Sequence, residues 1–262
     1  MTTLTNRAKA QLEAGNLSIG LGLRAARTVE IGRVLNTCGY DWAFIDMEHN
    51  TMSIDTAVQI AVACQDAGVT PLVRVPGYEH YLATRVLDGG AMGIVFPHVE
   101  TAAQAAELVS FCKYPPQGHR SAAGNMPQLN FQAIPQAEAT ATVNANTLVV
   151  IMLETPTGIE NAAEIAAVPG VDVLLIGCND LCMEMGIPSR FDDPRLEAAI
   201  RTTVEACQAA GIHPGFGGVY DEAVCNNFIG LGMRFILAGG DLPMLMGAAS
   251  ARARFLRDIS LK

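Results

Sequence analysis

The sequence predicts an α/β protein of the (β/α)8-barrel type, a single domain running from 1 to 262. Two observations carry that prediction. Eight short, β-rich apolar runs alternate with Ala-rich stretches of helical periodicity, the pattern of βα units wrapped around a parallel sheet. The length, 262 residues with half of them hydrophobic, is that of one barrel with a full-sized core, and no linker or low-complexity segment divides it.

The elements follow in order. MTTLTNRAKAQLEAGN (1–16) reads as a polar N-terminal helix. The strand runs are LSIGLGLR (17–24), DWAFIDM (41–47), TPLVRV (70–75), MGIVFPHV (92–99), TLVVIMLE (147–154), VDVLLIG (171–177), HPGFGG (213–218) and FILAGG (235–240). Helical segments such as SIDTAVQIAVACQDAG, EHYLATRVLDGG and TAAQAAELVSFCK lie between them, and most stop at Gly or Pro. Eight consecutive units close into a barrel more naturally than they form an open sheet. The last segment, PMLMGAASARARFLRDI, has apolar residues at a spacing suited to packing on a neighbour or on its own barrel.

Composition removes several functions. The formal charge is −9 and there are only three lysines (Lys9, Lys113 and Lys262), which argues against nucleic acid, because phosphate backbones require clustered cations. No apolar h-region and no run of membrane-spanning length is present, so a soluble, cytoplasmic protein without a membrane partner is expected. Seven cysteines, an odd count without small-domain spacing, read as reduced thiols, with Cys38, Cys64, Cys112, Cys207 and Cys225 as small core hydrophobes.

In a barrel the chemistry sits where strands end and βα loops begin. The polar residues there are Arg24, then Asp46, Glu48 and His49, then Arg74, His98 with Glu100, Glu154, and Asn179 with Asp180. Loops are polar merely because they meet water, but Arg74 and Glu154 sit in strongly apolar runs where an unpaired charge is costly. Glu154 and Asp180 close consecutive strands, so both carboxylates can reach one hard cation, Mg2+, Mn2+ or Co2+; two solvated loop carboxylates would be the plainer account. Arg74 offers a planar cation for a carboxylate or a developing enolate oxygen. His49 can exchange a proton near neutral pH, with Asp46 or Asp88 orienting its ring. Together these form a device for aldol cleavage or addition on a 2-oxo acid. A Schiff-base mechanism needs a lysine on a barrel strand, and none of the three occupies one.

At these residues the chain resembles the HpcH/HpaI family of class II, metal-dependent pyruvate aldolases. The resemblance lies in DWAFIDMEH (41–49), VRV around Arg74, VLDGG (86–90), KYPPQGHRS (113–121), MLET (152–155) and IGCNDL (176–181), in the same order along nearly the whole chain. It implies a barrel of the phosphoenolpyruvate/pyruvate type with Glu154 and Asp180 as metal ligands. Arg74 would contact the pyruvyl group and its enolate, and His49 would move a proton with Asp46 or Asp88 as partner. Backbone amides at Asn179 and Asp180 would hold the pyruvate carboxylate, and Glu48 would order the metal's waters. The substrates implied are 4-hydroxy-2-oxo acids such as 4-hydroxy-2-oxoheptanedioate or 2-keto-3-deoxy sugar acids, cleaved to pyruvate and an aldehyde. A hexamer is implied too, a trimer of dimers in which the C-terminal helix is exchanged.

The chain departs from the family pattern at Met152, where Gln is common, at Cys178 and Cys182 in the strand 6 loop, and at Gly22, where a Trp is common. Arg24 stands beside the space left at Gly22 and is expected to bind an acidic group on the aldehyde-derived half of the substrate. Cys178 and Cys182 could be read as zinc ligands, but without an adjacent His they read better as core-facing thiols. Competing functions are a related metal-enolate enzyme (an oxaloacetate decarboxylase or a malyl/citryl-type lyase) and a non-catalytic barrel that binds a small acid. The Gly-rich GFGG (215–218) and AGGD (238–241) raise a further possibility, a phosphate site at the ends of strands 7 and 8.

Overall fold

In the computed structural model, which describes residues 4–261, eight parallel strands close into a barrel in chain order. They are β1 (Ser18–Leu23), β2 (Trp42–Asp46), β3 (Thr70–Arg74), β4 (Gly93–Phe96), β5 (Leu148–Leu153), β6 (Val173–Gly177), β7 (His213–Gly217) and β8 (Phe235–Gly240). All eight fall inside the runs the sequence singled out. They read as continuous apolar stretches because both faces of each strand are covered, the condition of a parallel sheet wrapped in helices.

Alternate residues serve two different cores. Trp42, Phe44, Leu72, Leu148, Val150, Met152, Val173, Leu175 and Phe235 pack together inside the barrel. Their strand neighbours Ala43, Ile45, Val73, Val149, Ile151, Leu153, Leu174 and Ile176 face outward into the layer shared with the helices. Near one end Trp42 stacks on Phe235, with ring centroids 4.1 Å apart and planes at 8°. Gly20 has no side chain for a simple reason: a Cβ there would lie 2.2 Å from the Trp42 ring.

The outer layer comprises α2 (Ile31–Thr37), α3 (Ile54–Asp66), α4 (His80–Asp88), α5 (Ala102–Cys112), α6 (Gln136–Asn146), α7 (Pro156–Glu160), α8 (Ala162–Ala166), α9 (Cys178–Glu184), α10 (Pro194–Ala210) and α11 (Glu222–Leu231). Local chemistry starts these helices where the sequence indicated. Ser53 caps α3 by accepting from Thr56 N, and Thr101 with Gln104 forms a reciprocal capping box on α5. The N-terminal helix α1 (Arg7–Glu13) plugs the N-terminal end of the barrel: Ala8 and Leu12 join the interior core, and Asn6 donates to the carbonyls of Met92 and Asn146. That leaves the opposite end open.

The C-terminal helix α12 (Asp241–Arg257) differs from the rest in having no buried residue, and it exposes Met244, Leu245, Met246, Phe255 and Leu256. All seven cysteines are free. Cys64, Cys112, Cys178, Cys182 and Cys207 are buried as expected, but Cys225 is only half-buried and Cys38 is exposed at the C-cap of α2. Among the described residues no helix is long and apolar enough to cross a membrane. Lys262 lies outside the described residues.

Candidate active site

The same alternation that builds the interior core aims the site residues. Phe44, Leu72 and Met152 point inward, so the residues two positions on, Asp46, Arg74 and Glu154, point inward one layer higher, at the open end. There they line a cavity of about 240 Å3 together with Arg24, His49, Asn179, Asp180 and Tyr220. A larger cavity of about 790 Å3 lies on the outer face of α2 and α3, but its charged residues, Glu30, Arg33 and Asp66, are all exposed and converge on nothing.

Arg74 is the most heavily tied of these groups. Asp46 and Arg74 stand opposite each other in the β2–β3 register, and the guanidinium donates from Nε (3.0 Å) and Nη2 (2.8 Å) to the two oxygens of Asp46. Glu48 Oε2 lies 3.0 Å from Nη1, and the Phe44 ring lies beneath the cation at 5.0 Å. Asp46 also accepts the backbone N–H groups of Glu48 and His49. Burial alone would raise the Asp46 pKa, but the bonds and charge of Arg74 outweigh it and hold the carboxyl below its usual range. Burial would likewise lower Arg74, and the bonds from Asp46 with the charges of Asp46, Glu48 and Glu154 overcome it. A charged fork is thereby fixed in the cavity wall.

Glu154 follows β5 and is 1% exposed. Its Oε2 accepts the backbone N–H of His98 at 3.0 Å, and the His98 ring stands 3.4 Å away. Burial raises its pKa to about 7, and the charge of Asp180 pushes the same way. Asp180 sits in the first turn of α9, reached directly from β6 through Gly177. A Cβ at Gly177 would lie 2.3 Å from Glu154 Oε1, so the bare backbone is what admits the carboxylate. Among the described residues no cluster of three or more His, Cys, Asp or Glu side chains is arranged to hold a metal. The pair fits a hard cation that keeps most of its coordination positions for substrate and water: both are oxygen donors, they share a cavity, and their mutual repulsion in a buried setting is what a cation would relieve.

Several expectations need correction. Asp46 does not meet the His49 ring through any of these bonds; it takes the His49 backbone amide and spends the rest of its capacity on Arg74. Asp88 is not brought to the site within one chain. It ends α4, which runs back to the plugged end of the barrel, and there it pairs with the buried Arg120 at 2.7 Å. His49 itself is half exposed on the rim, 3.9 Å from Glu48. Glu48 is engaged with Arg74. The Gly-rich ends of β7 and β8 border the same cavity through Gly217, Gly218, Gly239 and Gly240, while Asp241, which closes AGGD, turns its carboxylate to the amides of Arg24, Ala25 and Ala26. Cys178 borders the cavity, yet burial holds its thiol in the protonated form, and Cys182 is raised for the same reason.

Two residues of the site were given no role by the sequence: His98, noted only as a polar residue at a strand end, and Tyr220, not noted at all. His98 appears in the sequence at the end of β4, but nothing there foretells its left-handed backbone (φ +53°), which turns the amide toward Glu154; Tyr78 Oη donates to the His98 carbonyl and steadies that turn. Tyr220, after β7, borders the cavity on the side of Arg24. Of the lysines, Lys113 donates to the carbonyls of Asn144 and Thr147 and Lys9 to that of Ala145; among the described residues no lysine lines the cavity.

A closed parallel barrel with ionisable side chains gathered in a cavity at the strand C-termini is the architecture of a barrel enzyme whose chemistry sits at that face. The profile of the HpcH/HpaI aldolase/citrate lyase family matches residues 25–248, and the chain belongs to that family. It is 39% identical to the 4-hydroxy-4-methyl-2-oxoglutarate aldolase of Hapsidospora irregularis, over 100% of this chain and 98% of that one. It is also 39% identical to the enzyme of the same name from Chaetomium globosum, covering 93% and 92%. A hydroxypyruvate/pyruvate aldolase of Agrobacterium fabrum is 32% identical over 90% of this chain and 88% of its own. Among solved structures, an HpcH/HpaI aldolase from Desulfitobacterium hafniense DCB-2 superposes with a TM-score of 0.92 at 26% identity, covering 98% of both chains.

Proposed function

We propose that this protein is a divalent-metal-dependent aldolase that cleaves a 4-hydroxy-2-oxo acid to pyruvate and a second carbonyl compound. The observation that carries the reading is the meeting of buried Glu154, Asp180 and the fixed cation of Arg74 in one small cavity. Glu154 and Asp180 would hold Mg2+, Mn2+ or Co2+, whose contribution is to polarise the 2-oxo group of the substrate.

The side chains supply the remaining chemistry. Arg74 compensates the negative charge that grows on the 2-oxo oxygen as the C3–C4 bond breaks, and because Asp46 and Glu48 already hold the fork, it needs no reorganisation. His49, half exposed on the rim of the cavity, takes the proton of the C4 hydroxyl; the C3–C4 electrons pass into the enolate, which is then protonated at C3 to give pyruvate. Amides of Asn179 and Asp180 in the first turn of α9, where N–H groups have no helical partner, suit the pyruvate carboxylate. Arg24, across the cavity, suits a second carboxylate on the other half of the substrate. That favours a diacid of the kind named for the two fungal relatives, from which both products would be pyruvate.

The decisive test is a retro-aldol assay coupled to pyruvate detection. Activity is expected to vanish with EDTA, to return with Mg2+, Mn2+ or Co2+, and to survive borohydride added with pyruvate. Inactivation by borohydride, or full activity in EDTA, overturns the reading.

A hexamer built as a trimer of dimers, with α12 exchanged between subunits, belongs to the same proposal; its support is the unburied apolar length of α12. Seven free thiols suit the reducing cytoplasm.

A further inference from the structure

Arg24 is exposed, and the loop that carries it has no apolar anchor at its start: Arg24 and Ala25 are both on the surface. What fixes this loop is polar. Asp241, the first residue of α12, receives four backbone N–H groups: Arg24 (3.0 Å) and Leu242 (2.7 Å) on Oδ1, and Ala25 (2.9 Å) and Ala26 (2.7 Å) on Oδ2. The two segments are held together below this point as well. The β1–β8 register shifts between Gly20 and Gly22, bringing Gly22 against Gly240, and a Cβ on Gly22 would lie 3.2 Å from the Gly239 carbonyl. From that platform the Arg24 side chain turns into the cavity wall and donates from Nη2 to the His49 carbonyl at 2.9 Å, one of the five N–H groups in its fork.

We propose that Asp241 is a positioning residue for substrate specificity: its carboxylate clamps the loop after β1 so that Arg24 stands where it recognises a carboxylate on the half of the substrate that does not become the enolate. The inference rests on the aldolase reading above and adds to it a residue that never touches substrate. Three converging amides are themselves an anion site. Asp241 occupies them, so they are closed to the substrate's second carboxylate, and the Arg24 guanidinium is the cation placed to receive it. The clamp also ties this recognition to the start of α12.

The test uses the full-length protein and two substrates of the same shape, 4-hydroxy-4-methyl-2-oxoglutarate and 4-hydroxy-4-methyl-2-oxopentanoate, in which a methyl group replaces the distal carboxylate. A third readout, exchange of the pyruvate C3 protons with D2O followed by NMR, involves no second substrate half. In Asp241→Ala the KM for the diacid is expected to rise about tenfold, with the monoacid and the exchange rate within about twofold of wild type. Added formate, which can fill the vacated amides, is expected to restore part of the diacid preference. Asp241→Asn keeps the volume but turns one acceptor into a donor, and is expected to act in the same direction should the alanine variant fold poorly. Equal losses in all three readouts, or an unchanged preference for the diacid, overturn the proposal. A wild-type protein that does not exchange pyruvate protons would instead sink the aldolase reading, before any variant is compared.

Discussion

At the scale of single residues, Glu154 sets the proton balance of the site. An acid whose pKa is raised by burial to about 7 is preferred by the fold in its neutral form, so metal-free stability falls as pH rises from the unfolded value near 4.5 through about 7. A cation reverses that preference. Below about pH 7 the ion must displace a proton from Glu154, and above it the carboxylate is already ionised. Mn2+ affinity measured by calorimetry is therefore expected to weaken by roughly tenfold per pH unit below 7 and to level off above it. An affinity that stays flat from about pH 5.5 to 8 would show that Glu154 is not the ligand.

The residue scale is also where the sequence was hardest to read. Arg74 and Glu154 announce themselves because a charge in an apolar strand demands a partner. Which partner cannot be seen without the register: Asp46 lies three residues from His49 in the chain, but it lies directly across from Arg74 in space, and Arg74 takes it. Asp88 was offered as a partner for His49 on residue type and on family resemblance, neither of which follows the direction of α4; within one chain that helix takes Asp88 to the other end of the barrel. His98 was visible as a rim residue but its role was not, because it presents a backbone amide from a left-handed conformation, and no side-chain pattern encodes that.

At the scale of elements, the strands were legible because burial on both faces leaves a plain signature, an unbroken apolar run bounded by Gly, Pro or a charge. The helices were legible from their caps and stops. The spacing between elements was not, and the junction of β6 with α9 illustrates it. Gly177 has φ −83°, a value any residue adopts, so its role is spatial: it leaves room for the Glu154 carboxylate. Gly177→Ala is accordingly expected to leave far-UV circular dichroism unchanged while weakening Mn2+ binding by about tenfold or more, because the carboxylate must move by more than an ångström to escape the new methyl group. Retention of wild-type metal affinity would mean that Glu154 tolerates displacement and that the junction does not gauge the site.

At the scale of the whole molecule, the barrel is finished on one end and unfinished on one flank. The interior is filled and α1 seals its base, yet α12 buries nothing and presents Leu245 at 63% and Phe255 at 56% exposure. A helix of that length with uncovered apolar side chains at both ends is a surface for association. Leu245→Glu combined with Phe255→Glu is expected to reduce the native mass, read by light scattering after gel filtration, from the proposed hexamer toward smaller species. The same mass in the variant as in the wild type would place the subunit contacts elsewhere.

Trp42 is the single tryptophan of the chain, and it lies wholly inside, flat against Phe235 of the eighth strand and over the bare backbone of the first. The first and last strands are the two whose meeting completes the circle. Its fluorescence is thus a natural gauge of whether that circle is closed: a blue-shifted emission reports a shut seam, and its drift to the red in denaturant times the moment at which the two chain ends let go of each other.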